Sequence, residues 1–263
     1  MTLRREGGYR RRMRSVLVLG AHPDDETMLT GGTLALLSSQ GVQVHILAAT
    51  RGEGGELGDP PLCAREELGA VREAELRCAA RALGAVSVGF LGYVDPLVGP
   101  DEELYPFEAN FDELVGQILV AIHDLRPDVV LTHGRDGEYG HPAHQLLHEA
   151  TREAISQTAH PPLFYSFAAK VSGIEDHIWN ESDPAHLALD IRPWLDAKEH
   201  AALCHVTQHA LFRRRHPGKT IRELLRTTEG FHRHHPPVEE GYPRDPFADL
   251  LRAAGAWVPS LAG

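Results

Sequence analysis

Cysteine is scarce in this chain of 263 residues: Cys63, Cys78 and Cys204 are all it has, and no two of them form a CxxC pair. That excludes the thiolate zinc sites and redox pairs built on that spacing. Three cysteines cannot all be bridged, and the reading drawn from them is of buried small side chains in a reducing compartment. Basic charge is also short. Lys and Arg number 26 against 37 Asp and Glu, a net charge of −11 with histidine neutral, and an acidic chain lacks the field that displaces counterions from nucleic acid. No apolar run reaches the roughly 18 residues of a membrane span, and the start "MTLRREGGYRRRMRS" has no signal-peptide core. A soluble, cytoplasmic protein without stable membrane insertion or nucleic-acid partner is expected. GxSxG, HExxH and GxGxxG are missing as well, which removes three common hydrolase and dinucleotide-binding signatures.

What is present is an alternation of short apolar runs and longer amphipathic segments. Strands are predicted over 15–20, 42–50, 86–92, 128–134 and 162–167, and helices over 27–41, 64–84, 111–125 and 141–158. The order βαβαβαβ implies an α/β fold, Rossmann-like, with a mostly parallel sheet, helices on both faces and a C-terminal extension. With 42% hydrophobic residues and no evident linker, one domain over 1–263 is expected. Residues 1–13 read as a flexible tail, with 1–12 an over-long start, and 170–263 as the extension covering a pocket. The "HRHH" segment, His232, His234 and His235, reads as either an adventitious metal binder or, preferably, a solvated stretch before Pro236.

Ligands of open α/β sheets bind beyond the carboxyl ends of the strands, and the unusual residues collect there. "HPDDE" follows the first strand, "TRGEGGE" the second, "GYVD" the third and "THGRDGEYGHPAH" the fourth. Two adjacent aspartates would repel a phosphate, whereas a divalent cation would stabilise them. A mononuclear hydrolytic zinc site takes three N or O ligands and keeps one position open. His22 and Asp25, three apart at a helix start, can supply two. Asp24 is rotated away from Asp25 and can face the open position. The third ligand is expected from "GHPAH", which offers His141 and His144 behind Pro142, the first helical residue. Taken singly, each motif could be a plain helix start with solvated side chains. Together, at one sheet edge, they favour a metal.

The string "AHPDDE", then "GGTLALL", "TRGEGG" and "YGHPAH", resembles the PIG-L/LmbE-like family of metal-dependent N-deacetylases, and "REAELRCAARALG", "FLGYVD" and "DAKEHAALCHVTQ" extend the resemblance over most of the chain. The resemblance implies a zinc-dependent hydrolase that removes the acetyl group from an N-acetylglucosamine-containing small molecule, a sugar conjugate or a thiol precursor. Amidases of larger sugar–thiol conjugates, and a metal-stabilised sugar-binding module without catalysis, are the alternatives. It further implies that His22, Asp25 and His144 bind zinc, that Asp24 is the general base and that His141 stabilises the oxyanion; iron, cobalt or nickel also suit such ligands.

Where the family commonly has HPDH, Ala143 replaces the aspartate, so Asp136 or Glu138 is expected to hold His141 protonated instead. Arg72 matches a family arginine that faces substrate, and is otherwise a surface charge. Asp95 is expected to bind sugar hydroxyls, Tyr139 to line the mouth, and Arg51 to lie in the loop after the second strand near the substrate. His205 and Gln208 are expected in the part covering the pocket. A homo-oligomer is compatible with all of this.

Overall fold

The run Ser-Val-Leu-Val-Leu-Gly forms β1 (Ser15–Gly20), buried at every position. Such a strand needs cover on both faces, which a central parallel strand receives. Its alternation divides the interior: Val16 and Val18 belong to one apolar cluster, Leu17 and Leu19 to the other. The computed structural model describes residues 13–175, 178–239 and 241–259. The expectation for residues 1–12 lies outside the described residues. Met13 is within them and is buried in the first cluster, so the tail does not extend that far.

The chain continues through α1 (Asp25–Ser39), β2 (Gln43–Thr50), α2 (Leu68–Leu83), β3 (Ser87–Tyr93), α3 (Phe111–Leu125), β4 (Val129–Thr132), the helical turn α4 (Gly137–Gly140), α5 (Pro142–Ser156) and β5 (Leu163–Ser166). These elements match the expected order, with boundaries shifted by at most four residues. Gly84 ends α2 in the left-handed region at φ 74°, the conformation a helix terminus assigns to glycine. After it come β6 (Ala169–Lys170), β7 (Asn180–Pro184), β8 (Leu187–Asp190), α6 (Leu195–Cys204), α7 (His209–Arg215), α8 (Ile221–Leu224), β9 (Thr228–His235) and α9 (Pro246–Ala253).

Seven strands form one sheet in the order β3-β2-β1-β4-β5-β9-β8, while β6 and β7 pair separately. Strands β1 to β5 run parallel; β9 is antiparallel to β5 and to β8. The order turns back between β1 and β4, so their following loops lie side by side at a topological switch point. Helices α1, α2 and α6 pack together, and α3 packs with α5.

Three expectations need correction. Cys78 and Cys204 are joined in a disulfide across 126 residues, leaving Cys63 free. The absence of close cysteine pairs in the sequence says nothing of α2 packing beside α6, which brings the two together. "HRHH" is no solvated stretch either, since it forms the end of β9 and pairs there with β5. Part of the C-terminal region thus completes the sheet, while Gln208, Leu211, Arg214 and Arg215 line the cavity described below.

Two buried polar groupings tie these late elements down. Lys198 of α6 donates from Nζ to Glu229 Oε1 at 2.8 Å, and Glu229 accepts from the backbone N–H groups of Gly32 and Thr33 at 2.9 and 2.8 Å. Tyr165 of β5 donates to Asp245, which also accepts from Arg233 and caps α9 through Ala248 N–H.

Candidate active site

His22, Asp24 and Asp25 occupy the turn from β1 into α1. Asp24 sits at φ 120°, a conformation that L side chains adopt at a cost of order 1–3 kcal/mol, and it faces a cavity of about 580 Å³. Asp25 is turned inward, where its Oδ2 accepts from the backbone N–H of His22 at 2.8 Å. From the neighbouring loop, His144 arrives on the first turn of α5. His22 Nδ1 lies 3.4 Å from His144 Nε2, His144 Nε2 3.4 Å from Asp25 Oδ1, and Asp25 Oδ2 3.6 Å from His22 Nδ1.

These separations test whether a metal fits. Tetrahedral zinc at 2.0–2.2 Å from its ligands holds them about 3.4 Å apart, which is the spacing of His144 Nε2 from His22 Nδ1 and from Asp25 Oδ1, while Asp25 meets His22 through its other oxygen. Both ligand histidines are also held from behind. His144 Nδ1 faces Glu138 Oε2 at 2.6 Å, and His22 Nε2 faces Asp95 Oδ1 at 3.2 Å. Such carboxylate partners fix the tautomer of a metal-binding histidine.

The electrostatics agree. Burial opposes charge on His22, but hydrogen bonds to Asp25 and Asp95 outweigh it and raise its pKa to about 10. Burial likewise opposes charge on His133, yet Glu138 and Asp25 raise it to about 9. Burial would raise Asp25, and the adjoining histidines hold it well below the carboxylate range. The cluster demands positive charge, a demand a divalent cation meets. His144 is shifted down by burial and by His133, which favours the neutral ring a metal needs.

Asp24 titrates near 6, raised by burial, with Arg72 opposing and Asp25 adding to the rise. Arg72 is 3% exposed, so it is no surface charge. Its guanidinium donates to Gly52 O and Pro23 O and stands 3.4 Å from Asp24 Oδ2. Gly52 is required there: at φ +72° a Cβ would fall 2.1 Å from Arg72 Nη1.

His141 stacks on His144 with ring centroids 4.3 Å apart, and its Nδ1 accepts from Ala143 N–H at 3.2 Å. Burial, then the neighbouring His144 and His22, push its pKa down to about 2. The expected protonated imidazole is therefore a neutral one. Neither proposed acid serves it: Glu138 is engaged by His133 and His144, and Asp136 accepts from Ser182 N–H at 2.7 Å.

Tyr139, half exposed, lines the cavity with its ring 5.8 Å from those of His141 and His144. Asp95 lines it as well, although its hydrogen bond to His22 makes it more than the expected sugar contact. Arg51 is not brought in; its Nε donates to Glu53 at 3.2 Å, and it does not border the cavity. His205 is buried against Glu26 at 3.2 Å, outside the lining, whereas Gln208 borders it.

His133 was missed. Fully buried, it faces Glu138 through Nδ1 at 2.9 Å, and its Nε2 lies 3.3 Å from Asp25 Oδ2 and 3.0 Å from Ala21 N. Its signal was its place directly after β4, where strand ends meet ligands.

Residues 17–155 match the family model described as PIG-L, GlcNAc-PI de-N-acetylase, and the chain belongs to this family. The class is thus that of hydrolytic N-deacetylases. The chain is 36% identical over 236 residues to a 1D-myo-inositol 2-acetamido-2-deoxy-alpha-D-glucopyranoside deacetylase of Rhodococcus erythropolis, covering 73% of this chain and 80% of that one. Among solved structures it is similar to the N,N'-diacetylchitobiose deacetylase of Pyrococcus horikoshii, with a TM-score of 0.62, 19% identity and coverage of 90% and 89%. It is also similar to GalB, the 4-carboxy-2-hydroxymuconate hydratase of Pseudomonas putida KT2440, with a TM-score of 0.61, 25% identity and coverage of 88% and 100%. The expected family, fold class and kind of enzyme are borne out. Among the described residues, no helix is long and apolar enough to cross a membrane.

Proposed function

We propose that this protein removes the acetyl group from a 2-acetamido-2-deoxyglucoside joined to a small polyol, with 1D-myo-inositol 2-acetamido-2-deoxy-alpha-D-glucopyranoside as its substrate, and that it does so with Zn²⁺ held by His22, Asp25 and His144. The observation that carries the reading is His144 Nε2 standing 3.4 Å from both His22 Nδ1 and Asp25 Oδ1, with the other Asp25 oxygen 3.6 Å from His22 Nδ1. When bound, zinc supplies Lewis acidity toward the amide carbonyl and toward water.

The chain's own groups do the rest. Asp24, bordering the cavity beside these three side chains and titrating near 6, takes a proton from the attacking water and returns one to the departing amine. His141 accepts from Ala143 N–H on Nδ1, so its neutral ring carries the proton on Nε2 and donates it as a hydrogen bond to the developing oxyanion. Arg72 holds Asp24 in place through the turn at Pro23. Tyr139 and Asp95 border the cavity, whose volume of about 580 Å³ suits a disaccharide-sized ligand.

Acetate release from the inositol glycoside tests this directly. Turnover should vanish with a chelator and return with Zn²⁺. In Asp24→Asn it should fall by about 10²–10⁴ with zinc still bound. Binding of the glycoside without acetate release, in zinc-loaded wild type, would replace the enzyme with a binding module.

A further inference from the structure

A second group of metal-ligating side chains stands apart from the active site, on the other side of the loop that follows β4. His232 and His234 alternate along β9 and face the same way, with ring centroids 4.7 Å apart. Asp183 of β7 completes the group, its side chain fully buried and its Oδ2 3.4 Å from His234 Nε2. One ligand atom from each of the three lies within 4.8 Å of the others.

The arrangement behind these atoms is that of a ligand set. His232 Nδ1 donates to Pro184 O at 2.7 Å, which leaves Nε2 with its lone pair exposed to the group. His148, a turn beyond His144 on α5, approaches edge-on with its ring 4.9 Å from that of His234. Its Nδ1 donates to His133 O at 2.8 Å, and its Nε2 is fully buried with no hydrogen-bond partner. A buried acceptor without a donor is costly, and beside three ligand-type groups it marks a place for a cation or for water bound to one. Two groups compete for these atoms: Ser166 Oγ lies 3.0 Å from His234 Nε2 and donates to Asp183 Oδ2 at 3.2 Å, and Arg135, its side chain 53% exposed, places Nε 3.2 Å from Asp183 Oδ1.

We propose that Asp183, His232 and His234 form a second divalent-cation site, with two imidazole nitrogens and one carboxylate, a donor set suited to Zn²⁺, Co²⁺ or Ni²⁺. Its role is to brace. Asp183 accepts from Arg135 N–H at 3.1 Å, and Asn180, three residues before it on β7, both accepts from Glu138 N–H and donates to Glu138 Oε1. A cation at Asp183 therefore fastens β9 and β7 to the loop that carries His133, Glu138 and His141.

The test counts zinc on the full chain, stripped with chelator, reloaded with Zn²⁺ and passed through a desalting column before elemental analysis. Wild type should hold two equivalents and His232→Ala/His234→Ala one. His22→Ala, which damages the first site, should keep the equivalent that depends on His232 and His234. His232→Gln, at a partly exposed position, should weaken the second equivalent at least tenfold in a competition titration without unfolding the chain. Equal zinc content in wild type and in the His232/His234 variant overturns the proposal, whatever His22→Ala shows. Unchanged second-site affinity in His232→Gln does the same.

Discussion

Glu138 Oε2 lies 2.6 Å from His144 Nδ1 and 2.9 Å from His133 Nδ1, so that a single carboxylate oxygen orients two buried imidazoles. Burial would raise the Glu138 pKa, and the two histidines pull it far below the carboxylate range instead. Glu138→Gln keeps the shape and loses the charge. Its affinity for Zn²⁺, measured against a chromophoric chelator, should fall by about 10–100-fold. An unchanged affinity would show that His144 is oriented by packing alone.

Lys198 and Glu229 make a buried ion pair at 2.8 Å, both side chains no more than 1% exposed. Burial lowers the lysine pKa, and Glu229 only partly offsets this. Removing one partner of such a pair strands the other charge, at about 3–5 kcal/mol. Lys198→Met should lose that much in urea denaturation. Lys198→Met/Glu229→Gln should recover part of it, held back by the N–H groups of Gly32 and Thr33 that Glu229 serves.

Alkaline stability should depend on Tyr165. Burial first, then the charge of Asp245 and the hydrogen bond to it, raise the phenol pKa far above its ordinary value of 10. Because the folded pKa exceeds the unfolded one, the stabilising contribution is complete below about pH 10 and is lost as pH rises above it. Urea midpoints taken between pH 8 and pH 11 should drop steeply for wild type above pH 10. Tyr165→Phe should start lower, by the roughly 1 kcal/mol of a hydrogen bond, and show a shallower drop.

At position 52 an added methyl group should disturb the active site without touching substrate. Gly52→Ala places a Cβ 2.1 Å from Arg72 Nη1 at φ +72°, so the arginine must move and the turn is strained. Asp24, 3.4 Å from Arg72, then loses the charge that opposes its upward shift. The acid limb of the kcat profile should move to higher pH. A lower melting temperature with an unmoved acid limb would assign Arg72 to structure alone.

Much of the fold was legible because each strand from β1 to β5 is a short apolar run, while α2, α3 and α5 keep a helical period and α1 is marked by its length and the closing Gly41. The gathering of "HPDD" and "GHPAH" at one sheet edge could then be inferred, though not the strand order that sets β1 beside β4. What the local pattern did not carry was pairing at long range. Cys78 meets Cys204 across 126 residues, and the segment with His232 and His234 is drawn into the sheet by pairing with β5. Within the site, ligand-type residues were readable from chemistry, but the direction of each side chain was not. Arg51 turns away and Arg72 turns in. Glu138 serves His144 rather than His141, because a buried ring with two nitrogens needs a partner on each. His133 passed unnoticed as one histidine among several, although its place after β4 put it against Asp25.

The bridge between Cys78 and Cys204 bears on how the cavity behaves. One of its ends lies on the helix that carries Arg72, and the other comes just before the stretch that supplies Gln208 and Leu211 to the lining. A covalent strap between these two segments limits how far they can part, so widening of the cavity falls to the other segments that border it, among them those of Leu97 and Tyr139.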